Sequence, residues 1–418
     1  MGHTLIEKII GRNVGHEVKP GDIVTAQVDW CMVDDIMMPF VAQKFEEMGF
    51  SKVWDPDKVV MIYDHFLPAT QTDDTRAFRI GNEFAAKYGL KHVHRTDGIC
   101  HQLMTEAGYV KPGDVAFGTD SHTVTYGCVG AFSTGIGYTE MAGILGTGEL
   151  WVKVPESIKV VVDGVMPKGV TSKDLILRII GDLTASGATY QALEFSGSAI
   201  EAMSVASRMT MSNMAVEAGA KCGVFAPDEK TYEYCGITPG EKEAALFADE
   251  DASYARELHY QAEELVPVMA CPSLVDNIKP VSEMAGRKID QVFLGSCTNG
   301  RLEDLQAAAK VIKGKKVAPY IKFIVTPASR KIYREALADG TLRILSDAGA
   351  IITTPGCGLC CGRAGGILTD HEVVVATNNR NFLGRMGTSK VEIFLASPIT
   401  AATCAITGEI TVPECYGK

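Results

Sequence analysis

The sequence predicts an α/β protein with mainly parallel sheets, and three observations carry that expectation. Short β-rich runs alternate with segments of helical period, the composition is that of a globular chain, and polar glycine-bearing motifs follow the strand-like runs directly. The runs include Val59–Tyr63, Ser157–Val162, Val292–Gly295, Lys322–Thr326 and Glu372–Thr377, rich in β-branched and aromatic residues. Helical periods stand between them at Asp74–Tyr88, Ser172–Thr184, Leu302–Ile312 and Ser329–Ala338. Strands alternating with helices of this length imply layered βα units and parallel pairing.

A chain of 418 residues is long for one core. Mild seams at Lys153–Ser157 and Asn277–Arg287 divide it into three expected α/β domains, 1–157, 158–280 and 281–418. Hydrophobic residues make up 46% and charged residues 22%, enough to bury a large interior. The net charge of −11 argues against a nucleic-acid footprint, which needs clustered Lys and Arg, but leaves room for a local basic pocket taking a small anion. The start, MGHTLIEKIIGRN, has Glu7 and Lys8 inside its apolar run, so no signal peptide is expected there. No uncharged apolar run of about 18 residues appears, so no membrane contact is expected. Twelve cysteines lie mostly singly along the chain, which fits reduced thiols in a cytoplasmic protein.

The motifs are placed by a simple regularity. VVMIY is followed by DHFLP, DVAFG by TDSHT, VFLG by SCTNGR, and EVVVAT by NNRNFLGR. In open α/β sheets, ligands sit beyond the carboxyl ends of the strands. These are the segments expected to carry the chemistry.

The densest of the cysteine motifs is TPGCGLCCGRAGG, residues 354–366. Cys357 and Cys360 have the CxxC spacing that lets two thiolates reach one metal, and Gly356 and Gly358 permit close backbone approach. Cys297, in GSCTNGR, also follows a strand in a glycine-bearing loop. A redox dithiol and a set of inert buried thiols remain alternatives, although a dithiol CxxC normally opens a helix early in a βαβ unit. Structural zinc wants four ligands, and an electron-transfer cluster usually has four cysteines. Three would leave one iron of a [4Fe–4S] cluster open to substrate as a Lewis acid. Cys361 reads as a packed neighbour, with substitution for Cys360 as its alternative.

Together these motifs resemble the aconitase superfamily. SCTNGR at 296–301, PGCG-x-C at 355–360 and NRNFLGR at 379–385 are similar to its cluster and substrate signatures. DHFLP at 64–68, GICHQ at 98–102, GTDSHT at 118–123 and NMAVEAGA at 213–220 are similar to its histidine and glutamate motifs, in the family's order. Length and endings resemble the large subunit of the two-subunit members, the 3-isopropylmalate dehydratase and homoaconitase type.

The resemblance implies three α/β domains packed around one [4Fe–4S] cluster per chain, held by Cys297, Cys357 and Cys360. It implies acid or acid-supporting roles for Asp64, His65, His101, Asp120, His122 and Glu217. Imidazole titrates in the working range, and adjacent carboxylates hold its cationic form, as proton donation to a leaving hydroxide requires. Arg380 and Arg385 suit a substrate carboxylate because guanidinium binds it bidentately, with a pair of surface arginines as the alternative. Ser121 joins them as a substrate contact, and Asn213 and Asn379 are expected to donate hydrogen bonds to the cluster. GAFSTGIGYTE contains GxG but lacks the further glycine of a dinucleotide fingerprint, so no nucleotide is implied.

The implied activity is dehydration and rehydration of a 2-hydroxy di- or tricarboxylate. The base and further substrate contacts would come from a separate small subunit, the swivelling domain of single-chain relatives. Leu359, Asp34–Asp35 before Met37–Met38, and Thr377–Asn378 depart from the usual pattern and bear on specificity. The leading substrate type is 3-isopropylmalate; homoaconitase, a citramalate-type isomerase or a dehydratase of another substituted malate such as 2,3-dimethylmalate are alternatives. A non-catalytic metal-binding or RNA-binding protein is a more distant one.

Overall fold

The computed structural model describes residues 2–240 and 246–417. The chain forms two compact units, one from Met1–Arg95, Cys100–Asp163 and Ala188–Tyr260, the other from Thr96–Ile99, Gly164–Gly187 and Gln261–Lys418. Among the described residues no helix is long and apolar enough to cross a membrane.

In the first unit, β1 (Ile23–Gln27), β2 (Trp30–Asp34), β3 (Val59–Ile62), β4 (His92–His94), β5 (Val115–Gly118), β6 (Phe132–Gly135) and β7 (Glu149–Lys153) make two sheets. Strands in the order β4-β3-β2-β5-β6 are parallel throughout, with Met32 opposite both Val60 and Gly118. Every residue of β3 and β5 is buried, as a parallel sheet covered on both faces demands. β1 and β7 pair antiparallel as a separate ribbon. A further sheet has the order β10-β9-β8-β11, from β8 (Ser157–Asp163), β9 (Ala192–Ser196), β10 (Cys222–Phe225) and β11 (Arg256–Gln261).

The second unit is built on seven strands: β12 (Val268–Ala270), β13 (Ile278–Pro280), β14 (Gln291–Gly295), β15 (Lys322–Thr326), β16 (Ile351–Ile352), β17 (Val373–Ala376) and β18 (Glu392–Leu395). Their order is β13-β12-β18-β17-β14-β15-β16. The run from β18 to β16 is parallel, and β12 and β13 add antiparallel at one edge. The fold class expected from the sequence is therefore the one observed: α/β layers with mainly parallel sheets.

Local chemistry sets the helix ends. Thr171 and Asp174 form a capping box at the start of the helix Ser172–Leu183, whose Leu175, Ile176, Ile179, Ile180 and Leu183 are buried. The helix Thr72–Tyr88 begins two residues before the expected Asp74, because Asp74 caps it by accepting the Gln71 N–H at 3.0 Å. Both apparent linkers are folded. Lys153 ends β7 and Ser157 begins β8, leaving a three-residue connection, while Asn277–Arg287 contains β13 and a short helix, Val281–Met284. Polar composition made these segments read as seams, yet their backbone is tied in, as by Val154 N–H to the Asp22 carbonyl and Gly286 N–H to the Ile410 carbonyl.

Candidate functional site

In the first unit, three adjacent parallel strands end in the polar motifs. Asp34 ends β2 and Asp35 follows it, beyond β3 stand Asp64 and His65, and beyond β5 Asp120, Ser121 and His122. The Asp35 carboxylate accepts the backbone N–H groups of Asp64 (3.2 Å), His65 (3.2 Å) and Phe66 (2.9 Å), fixing the turn that presents His65. Asp34 accepts the Thr119 hydroxyl at 2.6 Å and the Met37 N–H at 2.9 Å, tying β2 to β5. The departure at 34–35 thus lies in the scaffold of the histidine motifs.

From Asp64 a continuous imidazole–carboxylate chain runs to Glu217. Asp64 Oδ1 is 2.8 Å from His65 Nδ1, and its Oδ2 accepts the Cys100 N–H at 2.6 Å. His65 Nε2 is 3.5 Å from Asp120 Oδ2. Asp120 Oδ1 lies 2.9 Å from His101 Nε2 and 3.3 Å from His122 Nδ1, and it also accepts the His122 backbone N–H at 2.7 Å. His122 Nε2 is 2.8 Å from Glu217 Oε1. Asp64, His65, His101, His122 and Glu217 are all buried, while the Asp120 side chain keeps 21% of its exposure.

The charges in this chain are mutually sustained. Burial works against the His65 imidazolium, but Asp64 and Asp120 outweigh it and hold its pKa well above the usual 6.5. Burial likewise opposes the Asp120 carboxylate, yet His101, His122 and His65 hold its pKa well below 3.8. Burial, helped by Asp64, pushes the Asp35 carboxyl up to about 8. Buried His101 Nδ1 has no hydrogen-bond partner, an unusual state for a buried polar atom.

The helix expected over the glutamate motif stops at Ala215, and Glu217 falls in a 3₁₀ turn, Val216–Ala218. Asn213, on the last turn of that helix, donates its amide to Thr125 Oγ1 at 2.9 Å. Ser121 opens the 3₁₀ segment Ser121–Val129, capped by Asp120.

In the second unit, the cysteines gather at the carboxyl ends of the adjacent strands β14, β15 and β16. Cys297 follows β14 in a short helical turn begun by Ser296, a buried residue held at φ 67°. Such a backbone angle is uncommon for a residue with a side chain and concentrates at functional turns. Cys357 and Cys360 follow β16 in the loop ending with the 3₁₀ turn Gly358–Cys361. Gly358 has φ 60°, and a Cβ there would stand 2.7 Å from Thr326 Oγ1 on β15, so only glycine lets the loop lie this close. Gly362 packs as tightly on the Arg385 carbonyl.

Cys297, Cys357 and Cys360 are 4%, 3% and 2% exposed, and no disulfide joins them. Asn379, beyond β17, donates its amide N–H to Cys297 Sγ at 3.5 Å and accepts from Cys360 Sγ at 3.5 Å. Arg385 donates to Cys360 Sγ at 3.7 Å, and its buried Nε has no partner. Hydrogen bonds to Cys360 and Cys361, then burial, push the Cys357 thiol well above its ordinary range. Cys361 is half-buried, with its thiol toward the Gly358 carbonyl at 3.8 Å. Arg380 is half-buried, and its carbonyl accepts the Asn378 amide at 2.9 Å.

Two buried thiols meeting on one amide, a third hydrogen-bonded to Cys360 and a guanidinium beside them fit an iron–sulfur cluster of three-cysteine ligation. Arg301, which no motif argument singled out, clamps this arm by donating to the carbonyls of Cys297 (2.5 Å) and Thr298 (2.6 Å).

The sequence matches the aconitase family (aconitate hydratase) over residues 7–288 and 273–408. It is 48% identical over 417 residues to the 3-isopropylmalate dehydratase large subunit 1 of Methanopyrus kandleri, covering 100% of both chains. It is 46% identical over 421 residues to the 3-isopropylmalate dehydratase large subunit of a Sulfurihydrogenibium species, covering 100% of this chain and 98% of that one. With the large subunit 1 of Pyrococcus furiosus the identity is 46% over 418 residues, covering 99% of each.

Proposed function

The chain belongs to the aconitase family, and from that premise we propose that it works as the large subunit of a [4Fe–4S]-dependent hydro-lyase of 3-isopropylmalate dehydratase type. The observation that carries the reading is Asn379, whose amide stands between the thiols of Cys297 and Cys360 with Cys357 beside them. Cys297, Cys357 and Cys360 hold the cluster. When bound, it supplies an open iron that acts as a Lewis acid on the substrate hydroxyl.

The residues of this chain supply the remaining steps. Arg385 offers a half-buried guanidinium, with a buried and unpartnered Nε, to a substrate carboxylate, and Arg380 and Ser121 add to that binding. The chain from Asp64 through His65, Asp120 and His122 to Glu217, with His101 branching from Asp120, stores a proton and delivers it to the departing hydroxyl, which leaves as water. Removal of the proton alpha to a carboxylate falls to a small subunit carrying the swivelling domain. The three segments 1–157, 158–280 and 281–418 are proposed as the domains; the larger sheets span 30–135, 157–261 and 268–395, so the first boundary matches them while β12 and β13 of the third sheet fall before the second. We assign it to the cytoplasm, a compartment that suits its twelve cysteines, all free of disulfides.

Anaerobic reconstitution tests the reading. The full chain should take up about four irons and little zinc. Mixed with its small subunit it should turn over 3-isopropylmalate in preference to homocitrate, citramalate and 2,3-dimethylmalate, and alone it should show negligible dehydration. Preference for another malate on that panel would reassign the substrate and leave the reaction class intact; failure to bind iron would remove both.

A further inference from the structure

Lys173 is an anomaly for a surface-type residue. It occupies the second position of the helix Ser172–Leu183, whose charged residues would ordinarily face water, yet it is 0% exposed. Among the described residues it has no carboxylate within ion-pair distance. Its ammonium instead donates to two consecutive main-chain carbonyls, Thr377 at 2.8 Å and Asn378 at 2.6 Å. Burying an ammonium without a counter-ion is costly unless each donor is satisfied, so this arrangement holds its loop in one conformation.

The loop so held is the one that reaches the thiols. Thr377 hydroxyl ties back to β14, accepting the Gly295 N–H at 2.9 Å, and the next residue after Asn378 is Asn379, whose side chain meets Cys297 and Cys360. The base of Lys173 is itself fixed, because Asp174 accepts the Thr171 N–H at 2.8 Å and the Val268 N–H at 3.1 Å. A rigid helix start therefore grips the two peptide units just before the amide that contacts sulfur. Arg301 grips the Cys297 arm through carbonyls in the same manner.

We infer that Lys173 is a positioning residue for the iron–sulfur cluster, holding the Thr377–Asn378 carbonyls so that Asn379 keeps its hydrogen bond to the cysteine sulfur. The inference rests on the cluster reading above. N–H donation to a ligating sulfur stabilises the more reduced, more negative cluster and raises its potential. Loss of Lys173 should act through loss of that bond.

The test is a double-mutant cycle on the reconstituted full chain, with K173M, N379A and the pair. Iron loss to a chelator and the midpoint potential of the cluster are followed, with melting temperature and circular dichroism as controls on folding. K173M should release iron at least about ten-fold faster and move the potential to more negative values. N379A should change both in the same direction, and the double variant should be little worse than either single one. K173M with wild-type iron loss and potential, or effects that simply add to those of N379A, would overturn the inference. Should K173M not fold, K173Q, which keeps a shorter polar donor, goes through the same cycle with the same outcomes deciding. Wild-type chain that takes up no iron would overturn the cluster reading itself, whereas a loaded wild type matched by K173M removes the positioning role alone.

Discussion

His122 Nε2 lies 2.8 Å from Glu217 Oε1, a contact between side chains 95 positions apart that closes one end of the imidazole–carboxylate chain. Both are buried, so each fixes the other's proton and tautomer without competition from water. Glu217→Gln keeps the shape and removes the acceptor charge. It should lower kcat of the reconstituted pair by about a hundred-fold or more. Iron content should stay that of the wild type, since Glu217 acts through its bond to His122 and the cysteines have their own hydrogen-bonding neighbours. Iron analysis alongside steady-state kinetics checks both halves, and a matching loss of iron would show that Glu217 acts on the metal centre instead.

A pH dependence follows from the centre of the chain. His65 has its folded pKa raised above 6.5, so its contribution to stability is complete below about 6.5 and is lost as pH rises through the folded value. Asp120 has its folded pKa depressed below 3.8, so its contribution is present above about 3.8 and lost as pH falls toward the folded value. Asp120→Asn removes one of the carboxylates that sustain the His65 cation. The His65 midpoint should then fall, read from imidazole nitrogen shifts in a labelled sample. An unchanged midpoint would assign the raised value to Asp64 alone.

At the cysteines, the two neighbours 360 and 361 should behave oppositely. Cys357→Ser and Cys360→Ser each remove a buried sulfur from the converging set, and iron uptake on reconstitution should drop to near zero. Cys361 is half-buried with its thiol turned to the Gly358 carbonyl, so Cys361→Ser should load normally. Metal analysis of the three variants is the check. Loading by Cys360→Ser together with failure of Cys361→Ser would exchange the ligand assignment.

Much of this was legible in the sequence because the signals are local. Runs such as VVMI and VFLG, short, apolar and followed by turn residues, read as buried strands, and the polar motif after each strand gives the end of the sheet on which it sits. What stayed hidden depends on partners far along the chain. Lys173, at the start of an amphipathic helix, reads as a solvated charge, and only packing shows that its ammonium is spent on carbonyls at 377 and 378. The β1–β7 ribbon was not legible because the residue types of IVTAQ and ELWVK do not alternate as their burial does, and the strands pair over a separation of more than a hundred residues. Glu217 was found inside an apparent helix, but its aim at His122 depends on the α-helix giving way to a 3₁₀ turn at Val216, which propensity does not foretell.

Asp35 gives the last test, of stability in place of turnover. Its side chain accepts three consecutive backbone N–H groups, from Asp64, His65 and Phe66, in a site with no exposure to water. A buried N–H without an acceptor costs about 1–3 kcal/mol, and part of that returns as the turn relaxes, so Asp35→Ala should destabilise the fold by roughly 3 kcal/mol. Asp35→Asn keeps a carbonyl oxygen for the same donors. Because burial already pushes the Asp35 carboxyl up to about 8, the neutral amide resembles the form favoured near neutral pH, and its cost should be much smaller. Thermal melts of the two variants at pH 7 decide the matter. If Asp35→Asn melts as low as Asp35→Ala, the turn needs the full charge, and the DHFLP motif is held by an anion instead of by hydrogen-bond acceptors alone.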